Sequence, residues 1–527
     1  NPDDWGNWFG CDNSHPLFHY VLEDRYLRRN PHVTLPDPKQ QVIATANPKV
    51  YPLSHPQKRY HSFEHGGHYT SACSAMIYRD DLLFPRVGPA VPDASGGAGP
   101  AGNVQHSFTC EPVHNLVQHN IVHEVGPTFT CTHPDDETDH DFVASEDPWF
   151  RPVMVRTGPD GALWIADMYR YMIEHPDWLP PQGKAELMKF YRDGQERGRI
   201  YRVYPTDKQP RAIPNMAVMT TEQLVAMLEN PSGWVRDKAQ QMLIWKNDAS
   251  ASAVLEQIAT TSRLPQARLQ ALCTLDGLQK LQARTIEHSL SDESPAVRAH
   301  AIRLAESRAS LIDTAAKLAD DSDPKVRIQL ACSLGESDSP AAGAAFSKLA
   351  LSAGDDVYLA GAVGSSLPRH YKTVAAAILK TPMASANHLQ RDLLAIGLAK
   401  DDRDMLATLL EPLTNASDGG YSNEEMQTLA AWHDALAQRH SSVQALKMAK
   451  KDALSQRLEL FTPIYDWAAR VAPDPTPPPQ RRALAVSLLG RRPEKTDEDL
   501  KILAALLTPR TPLEVQTSAV KSLGILG

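Results

Sequence analysis

Histidines, carboxylates and arginines that could support acid–base or redox chemistry are concentrated in the first 205 residues, which hold 14 of the 20 histidines. The densest group is HSFEHGGH at residues 61–68, with three histidines and one carboxylate. The Gly66-Gly67 pair would let the backbone approach a ligand closely. His65 is therefore a candidate general base. The group could instead line a pocket, hold a metal, or form a turn whose histidines bond the neighbouring backbone.

A second candidate group is CEPVHN, which follows a predicted strand. Glu111 and His114 in this motif have the side chains that a general base or a ligand-binding residue needs. The alternative is a structural turn, because such polar residues also hydrogen-bond the backbone where strands end.

The segment DNSHP follows the first predicted strand as a polar loop that leaves the sheet. Asp12, Asn13, His15 and His19 could bind a substrate hydroxyl there. The alternative is an Asx turn, which Asp-Asn-Ser favours.

Arg151, Asp167 and Arg170 belong to one stretch of predicted strands. Arginine suits the carboxylates of an anionic cofactor, and Arg170 lies at a strand end where such a group could bind. Arg151 could instead form a buried, structural ion pair with Asp167.

The run HPDDETDHD at residues 133–141 contains five carboxylates that could bind Ca²⁺ through oxygen. It lacks the regular spacing and the glycine of a calcium loop, which favours a solvated acidic loop. We therefore predict no metal site.

The residues between 151 and 205 must position the arginine group, and they predict a strand, a turn, a strand, an insertion and a closing strand. The strands are predicted at residues 153–157, 162–168 and 199–204, and Pro159-Asp160-Gly161 forms the turn. This order is typical of one β-propeller blade.

The rest of residues 1–205, which we call the β region, also predicts strands. These fall at residues 7–11, 71–79, 104–110 and 128–132, and residues 84–103 predict a Pro/Gly/Ala-rich surface loop. We expect the β region to form the last blades of a propeller, followed by a polar linker at 206–219.

From about residue 220 the apolar period changes to that of helices, and a motif recurs. PSGWVRDKA, PQARLQA, PAVRAHA and PKVRIQLA align, with a weaker copy from Asp355. Each places proline in the first helical turn and an arginine shortly after it. The motif resembles HEAT repeats, and its arginines are expected to bridge repeats or helix ends. We predict an α-solenoid at 220–380 that continues over 381–527, with a proline-rich joint at 473–479.

The composition limits the possible partners. A net charge of −9 argues against nucleic acid. The six cysteines form no CxxC or CxxCH motif, so no haem attachment is predicted within the chain. The first four cysteines could pair in an oxidising compartment or be small buried residues. The chain begins in mid-pattern, and we expect it to be an internal fragment.

The β region resembles the membrane-bound dehydrogenase-like proteins of planctomycetes and verrucomicrobia. The resemblance is carried by WFGCDNSHPLFHYVLEDRYLRRNPH, YTSACSAMIYRDD, CEPVHNL, DPWFRPVMVRTGPDGALWIADMYRY and GRIYRV. In that family a propeller of the glucose/sorbosone dehydrogenase type precedes HEAT repeats and commonly a c-type cytochrome domain.

The resemblance implies a fold of β and α domains, namely a partial β-propeller followed by an α-solenoid. It also implies a periplasmic or cell-surface dehydrogenase that oxidises a sugar or polyol, with PQQ and Ca²⁺ as cofactors. Electrons would pass to a haem c outside this chain, on a cytochrome in cis or in trans. His65, His114 and Glu111 would be catalytic, Arg170, Arg151 and Asp167 would bind the cofactor, and Asp12, Asn13, His15 and His19 would bind the substrate.

A second hypothesis belongs to another functional class. The chain could be a non-catalytic scaffold whose propeller binds carbohydrate or protein and whose solenoid docks a protein partner. Fold alone does not choose between the two, because propellers serve both.

Overall fold

The computed structural model describes residues 1–43, 45, 48–54, 67–84, 104–173, 175–381, 383–414 and 420–526. Its β-strands all lie in the β region: β1 Trp8–Asp12, β2 His15–Tyr20, β3 Lys39–Gln41, β4 Cys73–Ile77, β5 Gln105–Glu111, β6 Leu116–Val125, β7 Thr128–Thr132, β8 Val143–Ala144, β9 Pro152–Thr157, β10 Leu163–Asp167 and β11 Arg199–Val203.

The strands form three antiparallel sheets, which are ordered β1-β2-β3, β4-β5-β6-β7 with β8 beside β6, and β11-β10-β9. The middle sheet packs on both faces. One face, with Met76, Phe108 and Cys110, buries Val155 and Ile165 of the third sheet. The other face packs against the first sheet through a second apolar cluster, formed by Phe9, Leu17, Val42, Ala75, Ile77, Val122 and Phe129. Closure of such sheets into a propeller stays a prediction.

The third sheet confirms the predicted strand, turn, strand, insertion and strand. Gly161 has φ +88°, a conformation that favours glycine, so the turn needs this residue. Asp160 accepts hydrogen bonds from the backbone N–H of Ala162 at 3.1 Å and from Trp164 Nε1 at 3.0 Å. Strand β10 then pairs with β9 on one side and β11 on the other.

The prediction that residues 12–16 leave the sheet is wrong. They form a tight turn, and His15 begins β2, which pairs back on β1. The sequence analysis also missed β3, β6 and β8. In β6 polar and histidine residues among apolar ones hide the alternation that marks a strand, whereas β3 and β8 have only three and two residues and are too short to show it.

The helices are α1 Asp24–Leu27, α2 Pro181–Leu187, α3 Thr221–Ala226, α4 Gly233–Lys246, α5 Ala251–Thr261, α6 Pro265–Gly277, α7 Ala283–Ser289, α8 Pro295–Ala305, α9 Ala309–Ala315, α10 Pro324–Leu334, α11 Pro340–Ser352, α12 Val357–Ile378, α13 Met383–Lys400, α14 Arg403–Leu409, α15 Asn423–Gln438, α16 Val443–Ala449, α17 Ala453–Glu459, α18 Thr462–Val471, α19 Pro479–Ser487, α20 Thr496–Ala505 and α21 Leu513–Leu526. The protein therefore combines N-terminal sheets with helical repeats.

The four repeated arginines satisfy carbonyl groups at the start of their own helices. In each, Nη1 donates to the carbonyl oxygen six residues earlier, at 2.6–2.8 Å; the pairs are Arg236–Asn230, Arg268–Ser262, Arg298–Asp292 and Arg327–Asp321. The predicted role of these arginines at helix ends is confirmed.

Two of the same arginines also bridge neighbouring repeats. Arg268 binds both carboxylate oxygens of Asp292 at 2.6 and 2.7 Å, and Arg298 binds both of Asp321 at 2.7 and 2.8 Å. Each aspartate lies just before the next repeat helix, so each guanidinium fixes the spacing of successive repeats.

The chain divides into two compact units. The first comprises Asn1–Asp24 and Asp37–Ser333, so it joins the β region to the first repeats. The second comprises Arg25–Pro36 and Leu334–Gly527. Within the second unit, Asn30 Nδ2 donates to the Gly364 carbonyl at 2.6 Å, and Arg29 pairs with Glu336 at 2.6 Å. The domain boundaries from the sequence analysis stay predictions.

Charged residues tie the sheets of the first unit to its helices. Arg79, after β4, binds both carboxylate oxygens of Asp237 in α4 at 2.6 and 3.0 Å, and its Nε pairs with Asp4 at 2.6 Å. Asp4 also pairs with Arg236 at 2.5 Å. Arg79, Asp4 and Arg236 lie mostly out of solvent, and the two-point contact of Arg79 with Asp237 fixes the geometry of the joint.

Two further contacts extend this joint along the repeats. His300 in α8 donates from Nε2 to the Trp5 carbonyl at 2.9 Å, because Arg303 donates to its Nδ1. Lys325 in α10 pairs with Glu124 and lies 4.2 Å from the Phe129 ring centroid. The sheets are therefore held to the first, third and fourth of the four repeats.

In the part of the chain that the structure describes, no helix is both long and apolar enough to cross a membrane. The periplasmic or cell-surface location stays a prediction.

Candidate functional site

The β5–β6 hairpin places a row of ring side chains on one face of the middle sheet. Phe108 pairs with His119, and His106 pairs with Ile121. Because side chains alternate along a strand, His106, Phe108, His119 and Ile121 share a face. His123, two residues after Ile121, lies on the same face.

His106, His119 and Glu137 form a hydrogen-bonded chain, which we call the histidine relay. His106 Nδ1 lies 2.9 Å from His119 Nε2, and His119 Nδ1 lies 2.9 Å from Glu137 Oε1. An ionised carboxylate only accepts, so Nδ1 of His119 carries its proton and Nε2 accepts from His106. This assignment leaves Nε2 of His106 as an acceptor. Among the described residues nothing hydrogen-bonds to that atom.

Aromatic rings surround the relay. The Phe84 ring stacks on His106 with centroids 3.8 Å apart and planes at 9°, and Phe108 stacks on His119 at 4.9 Å. Phe142 meets His119 edge-on at 5.6 Å. Burial, reinforced by the neighbouring His119 and His123, lowers the pKa of His106 to about 4. The imidazole is therefore neutral near pH 7.

This arrangement can accept a hydrogen bond from a hydroxyl at Nε2 of His106. It can also accept a proton there, because the positive charge would be shared along hydrogen bonds that end on a carboxylate. His119 and Glu137 are almost fully buried, whereas His106 is half-buried and is the member that can reach a ligand.

His106 and His119 were not predicted from the sequence, and Glu137 was considered only as part of the acidic run. That run is not wholly solvated, because Glu137 and Asp141 are buried, and Asp141 accepts from Tyr51 N and Gln118 Nε2. The sequence does contain a pattern from which the relay could have been predicted. The CEPVHN turn between two strands would have paired residue 108 with residue 119 and placed both histidines on one face.

Glu111, a predicted catalytic residue, is fully buried at the end of β5. Its carboxylate accepts from the backbone N–H of Thr70 at 3.1 Å and of Ser71 at 2.9 Å. The hydroxyls of the same two residues donate as well, at 3.4 and 2.5 Å. The carboxylate therefore fastens residues 70 and 71 to the sheet, which favours the structural alternative.

His114 completes this network. Gly67 N–H donates to its Nε2 at 3.1 Å, so its Nδ1 carries the proton and points to Glu111 Oε1 at 3.3 Å. Both ring nitrogens are engaged within the chain. Asn115 has φ +59° and is buried, and its side chain bonds Ser54 and the carbonyls of Pro148 and Phe150. His65 lies outside the described residues, so its role stays a prediction.

The predicted substrate-binding residues are divided between a turn and a strand. Asp12 Oδ1 accepts from Ser14 N, from His15 N and from His15 Nδ1 at 3.2, 3.1 and 2.7 Å, which is an Asx turn. Asn13 is exposed at the tip of this turn. His19 is buried inside β2 and bonds Thr128 Oγ1 at 3.0 Å. Burial lowers the pKa of His19 to about 3.

The predicted cofactor residues lie together, and the chain itself uses most of their polar atoms. The buried Arg151 guanidinium donates to the carbonyls of Pro112, Val113, Arg170 and Tyr171 at 2.8–3.3 Å. Asp167 Oδ1 accepts from the backbone N–H of Arg151 and Tyr169. Arg170 is half-buried and donates to the Arg192 carbonyl at 3.3 Å.

The Arg151 guanidinium and Asp167 Oδ1 already have partners, whereas Asp167 Oδ2 is buried without one among the described residues. Only the Arg170 side chain is partly open to a ligand. Among the described residues no three histidine, cysteine or acidic side chains are grouped to hold a metal. Binding of PQQ, Ca²⁺ and haem c stays a prediction.

Two parts of the chain match known families. Residues 1–207 match a domain of unknown function (DUF7133), and residues 283–365 match HEAT repeats. The HEAT match confirms the predicted repeats, whereas the resemblance to dehydrogenases stays a prediction.

A designed armadillo repeat protein, YIII(Dq)4CqI, is similar to the chain at 16% identity, covering 58% of this chain and 100% of that one with a TM-score of 0.15. No curated protein matches the chain.

Proposed function

We propose that the chain is a binding scaffold whose β region takes a hydroxyl-rich ligand, a sugar or polyol, at His106. The observation that carries the proposal is the half-buried imidazole whose Nε2 has no hydrogen-bond partner among the described residues. A neutral imidazole nitrogen accepts a hydrogen bond, and each ring hydroxyl of a sugar offers one.

The relay supports this use of His106. His119 and Glu137 fix the tautomer, so Nε2 always presents a lone pair. The lowered pKa keeps the acceptor unprotonated, so ligand affinity should be constant between about pH 5 and 8. Stacking on Phe84 holds the ring plane, which lowers the entropy cost of binding.

The fixed joint between sheets and repeats supports the scaffold half of the proposal. Arg79, Asp4 and Asp237 hold the sheets on α4, and His300 and Lys325 hold them on later repeats. A ligand at the sheets and a protein partner on the repeats of the first unit would then be kept at a constant separation. We include in the proposal that the repeats bind a protein partner, for which a c-type cytochrome is one candidate.

Ligand-observed NMR titration of the whole chain with glucose and with sorbitol tests the proposal. We expect His106→Phe, which keeps the stack on Phe84, to weaken binding about tenfold, the value of one hydrogen bond. His123→Phe, on the same face, is the matched control and should bind as wild type. Equal affinity of the His106 variant and wild type would contradict the site.

The second candidate function is that of a dehydrogenase. It is favoured by the buried Glu137, which ends the hydrogen-bonded chain from His106 through His119. A site that only binds does not need a carboxylate to balance an imidazolium, whereas a base that takes a hydroxyl proton does. The resemblance implies PQQ as the electron acceptor and a haem c outside this chain as the next carrier. The chain's own part would be to orient the hydroxyl and take its proton at His106.

Dye-linked turnover of sugars and polyols, measured with added PQQ and Ca²⁺, separates the two candidates. Turnover that falls in Glu137→Gln while ligand binding is retained would establish the dehydrogenase. Ligand binding without turnover in the wild-type chain would establish the scaffold.

A further inference from the structure

Two of the six cysteines are direct neighbours across the β4–β5 ladder. Cys73 pairs with Cys110 in the antiparallel register, and both belong to the apolar cluster on the face that carries the relay. Cα atoms of directly paired residues in antiparallel strands are about 4.5–5.5 Å apart, within the range that disulfides span. All six thiols are reduced in the structure.

We infer that Cys73 and Cys110 form a disulfide when the chain meets a low-molecular-weight disulfide oxidant. The strand register selects this pair, because Cys131 is paired with Val122 and Cys11 is not paired with either Cys73 or Cys110. Cys11 and Cys131 pack on the opposite face, against the cluster that contains Phe9 and Phe129. A strand would have to turn over to exchange partners.

The two thiols have different environments, which sets the order of the reaction. Cys73 is half-buried, and a hydrogen bond from Cys110 lowers its pKa. Cys110 is fully buried, and burial raises the pKa of its thiol. Cys73 is therefore the sulfur that an external reagent meets first as a thiolate.

The reaction balances as two exchanges. The Cys73 thiolate attacks one sulfur of the oxidant, forms a mixed disulfide and releases the other half as a thiolate. Cys110 then loses its proton and attacks the Cys73 sulfur, forming the internal bond and expelling the second small thiol. Two protein thiols are oxidised, and one small disulfide is reduced to two thiols.

The test treats the whole chain with oxidised glutathione, then denatures and alkylates it for mass spectrometry. We expect four alkylated cysteines instead of six and one linked pair of peptides, which contain Cys73 and Cys110. Six alkylated cysteines, or a link between any other pair, would overturn the inference.

Two variants distinguish a failure to form the disulfide from a failure of the protein to fold. In Cys110→Ala the second exchange cannot occur, so a stable glutathione adduct should accumulate on Cys73. The Cys11→Ser/Cys131→Ser double variant keeps the pair and should form the same link as wild type. Absence of an adduct on Cys110→Ala, in protein whose thermal unfolding matches wild type, would also refute the proposed order.

Discussion

Buried arginines stabilise both the sheets and the repeats, and their partners differ. Arg268 divides its donors between a carbonyl of its own repeat and the carboxylate of Asp292. Arg151 donates to four carbonyls from two distant segments of the β region. The same bond to a carbonyl six residues earlier recurs for the arginine of four repeats, whereas in the sheets each buried polar side chain has a different set of partners. Polar residues in the sheets are therefore a poor guide to chemistry until their partners are known.

The largest effect is expected from Arg151→Ala. It removes the donor from four carbonyl groups, one buried and three partly buried, and we expect a loss of about 4 kcal/mol in the free energy of unfolding of the first unit. Urea denaturation, monitored by tryptophan fluorescence, measures this free energy of unfolding. Arg151→Lys keeps the charge and restores only part of the loss, since a lysine cannot reach four acceptors. A loss below about 1 kcal/mol in the alanine variant would mean that the carbonyls find other donors.

Arg268→Ala should cost somewhat less, about 3 kcal/mol, because it leaves one carboxylate and one carbonyl unpaired. Asp292 still accepts from Ser294 N–H at 2.8 Å. Arg284→Ala is the matched control: this arginine pairs with Glu256 at an exposed site and should change stability by less than about 0.5 kcal/mol. Equal losses in the two variants would contradict the bridging role of Arg268.

Glu111→Gln separates a structural role from a catalytic one. The amide keeps one acceptor oxygen and faces backbone N–H groups with its own donors, so we expect a loss of about 2 kcal/mol. Sugar binding at His106 should be unchanged. Loss of ligand binding or turnover with full stability would restore Glu111 as a catalytic residue.

At pH 7 the smallest effect is that of His19, whose contribution to stability changes only as the pH falls. Burial lowers its folded pKa from the ordinary 6.5 to about 3, so the unfolded chain binds the extra proton first as pH falls. Stability from neutral His19 is complete above about pH 6.5 and is lost towards pH 3, at about 1.4 kcal/mol per pH unit. Urea denaturation at several pH values between 7 and 4 should show a shallower decline for His19→Phe. Parallel curves would mean that His19 is not held neutral.

The repeats could be predicted from the sequence because their determinants are local. A proline, an apolar face and an arginine recur at nearly equal spacing, and the arginine bonds a carbonyl six residues earlier. The third sheet was predicted for the same reason, since Gly161 and the flanking apolar strands are adjacent in the chain.

The polar sites of the sheets depend on distant partners. His106 and His119 are 13 residues apart and meet only through the register of a hairpin, and Glu137 joins them from the loop after β7. The Glu111 carboxylate accepts hydrogen bonds from backbone N–H groups about 40 residues away in the sequence. Composition suggested histidine and carboxylate chemistry in the β region, but only the strand pairing brings His106 and His119 together.

The most direct test of the scaffold account is the affinity of wild-type chain and His106→Phe for glucose and sorbitol at pH 7, with His123→Phe alongside. The account predicts binding to wild type and to the His123 variant and about tenfold weaker binding to the His106 variant. The same affinity in all three proteins, or no binding to any, would contradict it.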